Sequence, residues 1–152
     1  MKVYTFLTDG FETVEALAVI DILRRAGIEV ETVSITGNEQ VCSAQNITIK
    51  ADTLFKAQPV RKEDVLFLPG GPGHMQYNEC KPLLELLERH HAEGGRIAAI
   101  CAAPSILGHL GILNGKKATA FPGYEKDLTG AEVLTAPVKV VTDGEGSYYH
   151  VE

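Results

Sequence analysis

The sequence predicts a doubly wound α/β domain, with a mostly parallel sheet, helices on both faces and a small β-ribbon. Three observations predict it. Short β-rich runs alternate with segments of helical period along the chain, as in parallel sheets with crossover helices. The runs at residues 65–68 and 97–100 are continuously apolar, as buried parallel strands are. The length of 152 residues suits a single domain, residues 1–152.

Each element follows from a local signal. Residues 3–7 form a β-rich run that a Thr-Asp-Gly turn ends, and residues 13–26 have the helical period up to Gly27, which suits a helix C-cap. The glycine-rich turn at residues 69–73 ends the strand at 65–68. The other predicted elements are strands at residues 28–35, 96–100, 117–121 and 138–141, ribbon strands at 40–43 and 47–51, and helices at 82–92 and 103–110.

Charge and cysteine content exclude several classes of protein. The chain has 14 basic and 20 acidic residues and a net charge of −6, which argues against nucleic-acid binding. Its cysteines, Cys42, Cys80 and Cys101, form no C-x-x-C pair and indicate a reducing compartment. The N-terminal residues do not have the pattern of a signal peptide, and the longest apolar stretch, residues 97–103, is far shorter than the ~20 residues of a membrane span. We therefore expect a cytoplasmic protein without a nucleic-acid or membrane partner.

Cys101 is the strongest candidate for chemistry. It stands where a buried strand passes directly into a helix, between Ala99 and Ala103, and a nucleophile elbow requires small residues at those two offsets. The helix N-terminus is expected to favour the thiolate over the thiol. The alternative interpretation is an inert cysteine that fills an alanine-rich packing site.

Glu15 is the second candidate. In a helix over residues 13–26, it shares one face with Val19, Ile22 and Ala26, and a carboxylate at the head of an apolar stripe suits the edge of a pocket. Burial there would raise its pKa and keep it protonated. The alternative is an acid of the first turn that only complements the helix dipole.

The turn at residues 69–73 brings backbone close to any ligand at the end of the strand. Gly70 and Gly71 are its candidates for donating N–H groups to an oxyanion, although the same sequence also suits a plain tight turn. The turn has neither the lysine of a phosphate loop nor the spacing of a dinucleotide fingerprint. No histidine pair has zinc-ligand spacing, so we expect no metal site.

Taken together, these features resemble the DJ-1/ThiJ/PfpI superfamily. The stretches that carry the resemblance are Asp9-Gly10-Phe11-Glu12-Thr13-Val14-Glu15-Ala16, Arg24-Arg25-Ala26-Gly27, Leu68-Pro69-Gly70-Gly71 and Ala99-Ile100-Cys101-Ala102-Ala103-Pro104. They occur in the family's order and spacing, and the resemblance runs from Lys2 to about Gly144. It favours the DJ-1/ThiJ branch, because the peptidase-like branch has a histidine where this chain has Ala102.

The resemblance implies a flavodoxin-like fold, a homodimer and no cofactor. It also implies that Cys101 is a nucleophile and an oxidation-sensitive thiolate, hydrogen-bonded to a protonated Glu15, and that Gly71 and Ala102 offer N–H groups to an oxyanion. Members of the family are described as cofactor-independent glyoxalases or deglycases that act on methylglyoxal and its adducts. Others are described as redox-responsive chaperones, and older descriptions mention thiazole monophosphate biosynthesis.

The chain departs from the family pattern at two places. Phe121 stands before Pro122 where the best-known relatives have a histidine, which removes an obvious general base. Relatives also continue past the position of Gly144 with a strand, a Ser-Arg-Gly-type loop and a long helix, whereas residues 147–152 look like a distal tail. We therefore expect an internal segment to be missing between about residues 143 and 147.

The sequence favours an enzyme that acts on a small reactive carbonyl compound. In this hypothesis Cys101 attacks a 2-oxoaldehyde to give a hemithioacetal, and Glu15 moves the proton. The main alternative is a redox-sensing or chaperone-type stress protein that oxidation of Cys101 switches. A peptidase is disfavoured by Ala102, and a degenerate binding module is the remaining alternative.

Overall fold

A computed structural model describes residues 1–56, 58–135, 140–143 and 147–150 of the chain. In chain order, the described residues form β1 (Lys2–Leu7), α1 (Thr13–Arg25), β2 (Glu29–Ser34), β3 (Gln40–Cys42), β4 (Thr48–Lys50), β5 (Thr53–Leu54), β6 (Val65–Leu68), α2 (Lys81–Ala92), β7 (Arg96–Ile100), α3 (Pro104–His109), β8 (Lys117–Ala118), β9 (Glu132–Val133), β10 (Val140–Asp143) and β11 (Ser147–His150). Two 3₁₀ helices, Pro72–Glu79 and Glu125–Asp127, complete the description.

The central sheet has the strand order β10-β11-β7-β6-β1-β2-β5. Neighbouring strands pair in parallel from β11 to β5, and only β10 runs antiparallel, against β11. This confirms the predicted mostly parallel α/β sheet. Strands β3 and β4 pair antiparallel and form the predicted ribbon.

Helices cover the two faces of the sheet because each helix buries one apolar stripe. Helix α1 buries Ala16 and Ile20 against one face, in a cluster with Val3, Leu7 and Phe67. On the other face, α2 and α3 bury apolar side chains against the central strands, and these side chains are Leu83, Leu86, Leu87, Ile106 and Leu107. The parallel strands and their crossovers therefore produce a layered core.

The order of the strands places a crevice at the centre of the sheet. After β1 the chain crosses to β2 on one side, whereas β6 lies on the other side of β1. The chain leaves β1 toward β2 and leaves β6 toward β7, on opposite sides, and ligands of such sheets bind at this switch point, outside the carboxyl ends of the strands. These two loops contain residues 9–12 and 69–73.

The end of the chain differs from its interpretation as a distal tail. Strand β11 lies in the sheet, where Tyr148 is opposite Ala98 of β7. The segment expected to be missing between about residues 143 and 147 would fall mainly at residues 144–146. These lie outside the described residues, so the missing segment stays a prediction. Within the part of the chain that the structure describes, no helix combines the length and the apolar character needed to cross a membrane.

Candidate active site

Backbone contacts hold the two loops of the central crevice together. Glu12 N–H donates to the Gly70 carbonyl oxygen over 3.0 Å, and Gly73 N–H donates to the Gly10 carbonyl oxygen over 2.9 Å. Gly71 has a φ of +100°, and a Cβ at this position would meet Gly10 O at 2.6 Å. Only glycine allows both the backbone angle and the close approach of the loops. The turn at residues 69–73 therefore packs closely against the loop that leads into α1.

Cys101 lies at an elbow between β7 and the turn before α3. Its φ of +61° is one of only two positive values at non-glycine residues among those the structure describes. Ala99 and Ala103 are buried on either side, as the elbow prediction requires. The Cys101 carbonyl oxygen accepts a hydrogen bond from Phe121 N–H over 2.8 Å, which ties the elbow to the loop after β8. The strained backbone at the end of a parallel strand fits a nucleophile elbow.

Glu15 reaches the sulfur from the first turn of α1. Its carboxylate oxygen Oε2 accepts a hydrogen bond from Gly70 N–H over 2.9 Å, and its side chain is hydrogen-bonded to that of Cys101. The predicted apolar stripe behind it is wrong, because Ile22 is 64% exposed and α1 buries Ala16 and Ile20 instead. Glu15 lies beside the buried face of the helix rather than at the head of its stripe.

The backbone donors at the site divide into two groups. The N–H groups of Gly71 and Ala102 are hydrogen-bonded to the Cys101 thiol. Gly70 N–H instead donates to Glu15, so the structure corrects the prediction that it faces an oxyanion. Gly70 has a steric role, since a Cβ there would lie 2.6 Å from Cys101 Cβ and 2.8 Å from Glu15 Oε2.

Burial and a neighbouring negative charge set the protonation of the thiol. Burial raises the pKa of Cys101, and the Glu15 carboxylate raises it further through its charge and its hydrogen bond. The Gly71 and Ala102 N–H groups oppose these effects, and the resulting pKa is about 11. Burial and the Glu15 charge therefore favour the thiol over the thiolate. The predicted help from a helix N-terminus is small, because α3 begins only at Pro104, and the resting thiolate stays a prediction.

Sequence reasoning did not identify His74 as part of the site. The structure places this residue in the 3₁₀ helix after the glycine-rich turn, where its Nδ1 lies 2.9 Å from the Gly71 carbonyl oxygen. A histidine three residues after a Gly-Gly pair was visible in the sequence, but its burial was not.

Cys42 and Cys80 lie elsewhere, in the ribbon and at the start of α2. Among the described residues, no three His, Cys, Asp or Glu side chains are grouped to hold a metal ion.

Comparison with known proteins gives a family match over nearly the whole chain. The model of the DJ-1/PfpI family matches residues 1–147. Protein dj-1beta of Drosophila melanogaster is 36% identical over 139 residues, which are 91% of this chain and 74% of that protein. Its crystal structure superposes with a TM-score of 0.90 at 32% identity and covers 99% of this chain and 81% of the other.

Two further relatives extend the range of the comparison. A protein of Pyrococcus abyssi named as a deglycase is 32% identical over 146 residues, which are 95% of this chain and 86% of that protein. Protein DJ-1 homolog B of Arabidopsis thaliana is 37% identical over 146 residues, and there the chain spans 33% of the relative's length. With its parallel sheet, its elbow cysteine and a match over nearly its whole length, the chain belongs to the DJ-1/PfpI family.

Proposed function

We propose that the chain is a cofactor-independent, cysteine-dependent glyoxalase or deglycase that acts on 2-oxoaldehydes such as methylglyoxal or on their adducts. The observation that carries the proposal is the contact between Glu15 and the Cys101 thiol beneath Gly70. It places a carboxylate against a protonated nucleophile, which is the arrangement that general-base activation of a thiol requires. The Pyrococcus relative named as a deglycase supports the same reaction class.

The first step transfers one proton and forms one bond. Glu15 accepts the proton of the Cys101 thiol while the sulfur attacks the aldehyde carbon of the substrate. The carbonyl oxygen becomes an oxyanion, to which the N–H groups of Gly71 and Ala102 can donate, because both already face the sulfur that bonds to this carbon. Glu15 then returns this proton to the oxyanion, which gives a hemithioacetal and leaves Glu15 as a carboxylate.

The later steps need no oxidant and no cofactor. Glu15 removes the proton from the former aldehyde carbon, and an enediol forms and takes up a proton at the neighbouring carbon to give a thioester of a 2-hydroxy acid. Water cleaves the thioester, releases the acid and restores the thiol. The sum is addition of one water to the 2-oxoaldehyde, so methylglyoxal gives lactate.

The proposed reaction suits a thiol whose pKa is raised. Peroxide, by contrast, reacts with the thiolate, which a raised pKa makes scarcer. A reaction in which Glu15 accepts the proton as the bond forms does not require a resting thiolate. The small-carbonyl substrate and the homodimer remain proposals, and sedimentation velocity of the purified chain tests the second.

Lactate formation from methylglyoxal tests the proposed enzyme. We expect turnover by the unaltered chain, a loss of at least about a hundredfold in Cys101→Ser, and no change in the matched control Cys80→Ser, which alters another half-buried cysteine at the start of α2. Absence of lactate from the unaltered chain, or equal turnover by Cys101→Ser, would falsify the proposal.

A further inference from the structure

His74 is a buried histidine that the proposed reaction does not use. The residue is 2% exposed, and its ring lies between the glycine-rich turn and the loop after β8. On one side, Nδ1 is 2.9 Å from the Gly71 carbonyl oxygen. On the other side, the ring meets that of Tyr124 edge to face, with 5.0 Å between the ring centroids and an interplanar angle of 86°.

The hydrogen bond to Gly71 fixes the tautomer of the ring. A carbonyl oxygen only accepts, so Nδ1 carries the proton and donates it. Burial lowers the pKa of His74 below its ordinary value, against the hydrogen bond to Gly71 and the charge of Asp127, while His109 lowers it further. The neutral ring therefore has an unprotonated Nε2, which is buried and has no hydrogen-bond partner among the described residues.

The unpartnered nitrogen argues against a role in packing alone. A buried polar atom without a partner is destabilising, and an apolar side chain of similar size would fill the same space without that penalty. What His74 adds over an apolar residue is the donor at Nδ1. This donor acts together with the backbone N–H of His74, which also donates to the Gly71 carbonyl oxygen, over 3.0 Å.

The two hydrogen bonds from His74 restrict the backbone of Gly71. Glycine has the widest backbone freedom, and Gly71, at a φ of +100°, precedes the loop that leaves the crevice. On the N-terminal side of Gly71, the Gly70 carbonyl oxygen accepts a hydrogen bond from Glu12 N–H. The C=O and N–H of a trans peptide point in opposite directions, so the Gly71 N–H points toward Cys101. His74 holds the peptide on the C-terminal side of Gly71, so the backbone of this residue is fixed at both ends.

We propose that His74 is a positioning residue: its ring locks the Gly71 backbone in the orientation that points the Gly71 N–H at the Cys101 sulfur. The inference rests on the proposed function only in taking Cys101 as the reacting group. Tyr124 packs against the His74 ring on the side away from Gly71. The loop that contains Tyr124 is hydrogen-bonded to Cys101 through Phe121 N–H. His74 thus connects the two loops that contact the elbow.

Alkylation of Cys101 by iodoacetamide as a function of pH tests the inference without any turnover. The Gly71 N–H lowers the pKa of the thiol, so its loss should move the alkylation profile to higher pH. We expect His74→Leu to slow alkylation of Cys101 at pH 8 by about three- to tenfold, read by mass spectrometry of the Cys101 peptide.

Two amide variants separate the donor from the packing. The side-chain nitrogen of asparagine is as many bonds from Cα as Nδ1 of histidine, whereas that of glutamine is one bond farther, like Nε2. His74→Asn should therefore restore the alkylation profile of the unaltered chain, and His74→Gln should behave as His74→Leu does. If His74→Leu fails to fold, the comparison of His74→Asn with His74→Gln still tests the inference. Equal alkylation profiles for these two variants overturn it.

A second buried histidine provides the matched control. His90 is 1% exposed, and its Nε2 lies 3.2 Å from the carbonyl oxygens of Asp64 and Arg96. His90→Gln should lower stability and leave the Cys101 profile unchanged. Independently, ¹⁵N-edited NMR of the histidine rings should place the His74 proton on Nδ1, and a proton on Nε2 refutes the proposed lock. A chain that alkylates as predicted but makes no lactate would remove the proposed function and leave this inference standing.

Discussion

Replacing Gly70 by alanine should break the thiol–carboxylate contact through steric overlap, without requiring a positive φ of the alanine. Gly70 is buried and its φ lies outside the positive region that favours glycine, so alanine meets no backbone strain. Its Cβ would lie 2.6 Å from Cys101 Cβ, 2.8 Å from Glu15 Oε2 and 2.9 Å from Ile100 O. Ordinary contacts begin at 3.4 Å, so Cys101 Cβ and Gly70 must separate by 0.8 Å (3.4 minus 2.6).

The side chain that can move is that of Glu15. Ile100 O belongs to the backbone of β7, whereas the Glu15 carboxylate is the end of a flexible chain and can leave by giving up its 2.9 Å hydrogen bond from Gly70 N–H. Overpacking of this kind costs about 1–3 kcal/mol of stability. We expect urea unfolding to show a loss within that range and lactate formation to fall by at least about tenfold, because proton transfer depends on the Glu15–Cys101 contact.

Gly27→Ala provides the control for stability loss without a change at the site. Gly27 has a φ of +75° and open space around its Cβ position, so alanine there costs about 1–2 kcal/mol through the backbone alone. We expect the control to be destabilised to a similar extent and to keep full turnover per folded molecule. Gly70→Ala with unaltered turnover and an unfolding free energy within about 0.5 kcal/mol of the parent would refute the steric reasoning.

Two further predictions concern charge. Glu15→Gln removes a negative charge that adds to the effect of burial in raising the pKa of Cys101, so the alkylation profile should move to lower pH while lactate formation falls. A profile that moves to higher pH, or unaltered lactate formation, would contradict the role of Glu15. Burial alone would raise the pKa of Asp64, but hydrogen bonds from the backbone N–H groups of Arg61 and Lys2 outweigh it and hold the pKa below its ordinary value. A pKa that is lower in the folded than in the unfolded state contributes stability above the unfolded-state pKa, and this stability is lost as pH falls through the folded-state pKa. The free energy of unfolding should therefore decline below about pH 4. Asp64→Asn should flatten that decline in a pH series of urea titrations.

The sequence was sufficient to locate the elbow because its signals are local. A buried strand, small residues two positions on either side of Cys101 and the change to a helix all lie within residues 96–109, and the structure places Ala99 and Ala103 in the core as expected. The parallel sheet followed from the alternation of elements in the same way. The sequence also placed the glycine-rich turn and Cys101 at the ends of buried strands, and the carboxyl ends of parallel strands meet at one edge of a sheet.

The remaining features depend on contacts between distant residues. Helix α1 has apolar side chains on more than one face, with Val14 69% and Ile22 64% exposed, so periodicity alone did not identify the buried stripe. The pKa shift of Cys101 depends on its burial and on Glu15, Gly71 and Ala102, which only the fold brings together. Strands β8 and β9 pair over two residues each, which is too short for a period to be visible. Strand β11 is recognisable only through its pairing with β7.

The buried thiol has a consequence for chains that are not folded. In an unfolded chain Cys101 has the ordinary thiol pKa of 9.0, against about 11 in the fold, so its thiolate fraction at neutral pH is about a hundredfold larger. Electrophiles that react only with a thiolate, and for which Glu15 cannot serve as the base, should therefore modify unfolded copies faster than native ones. The fold then directs the reactivity of Cys101 toward electrophiles that fit beside Glu15.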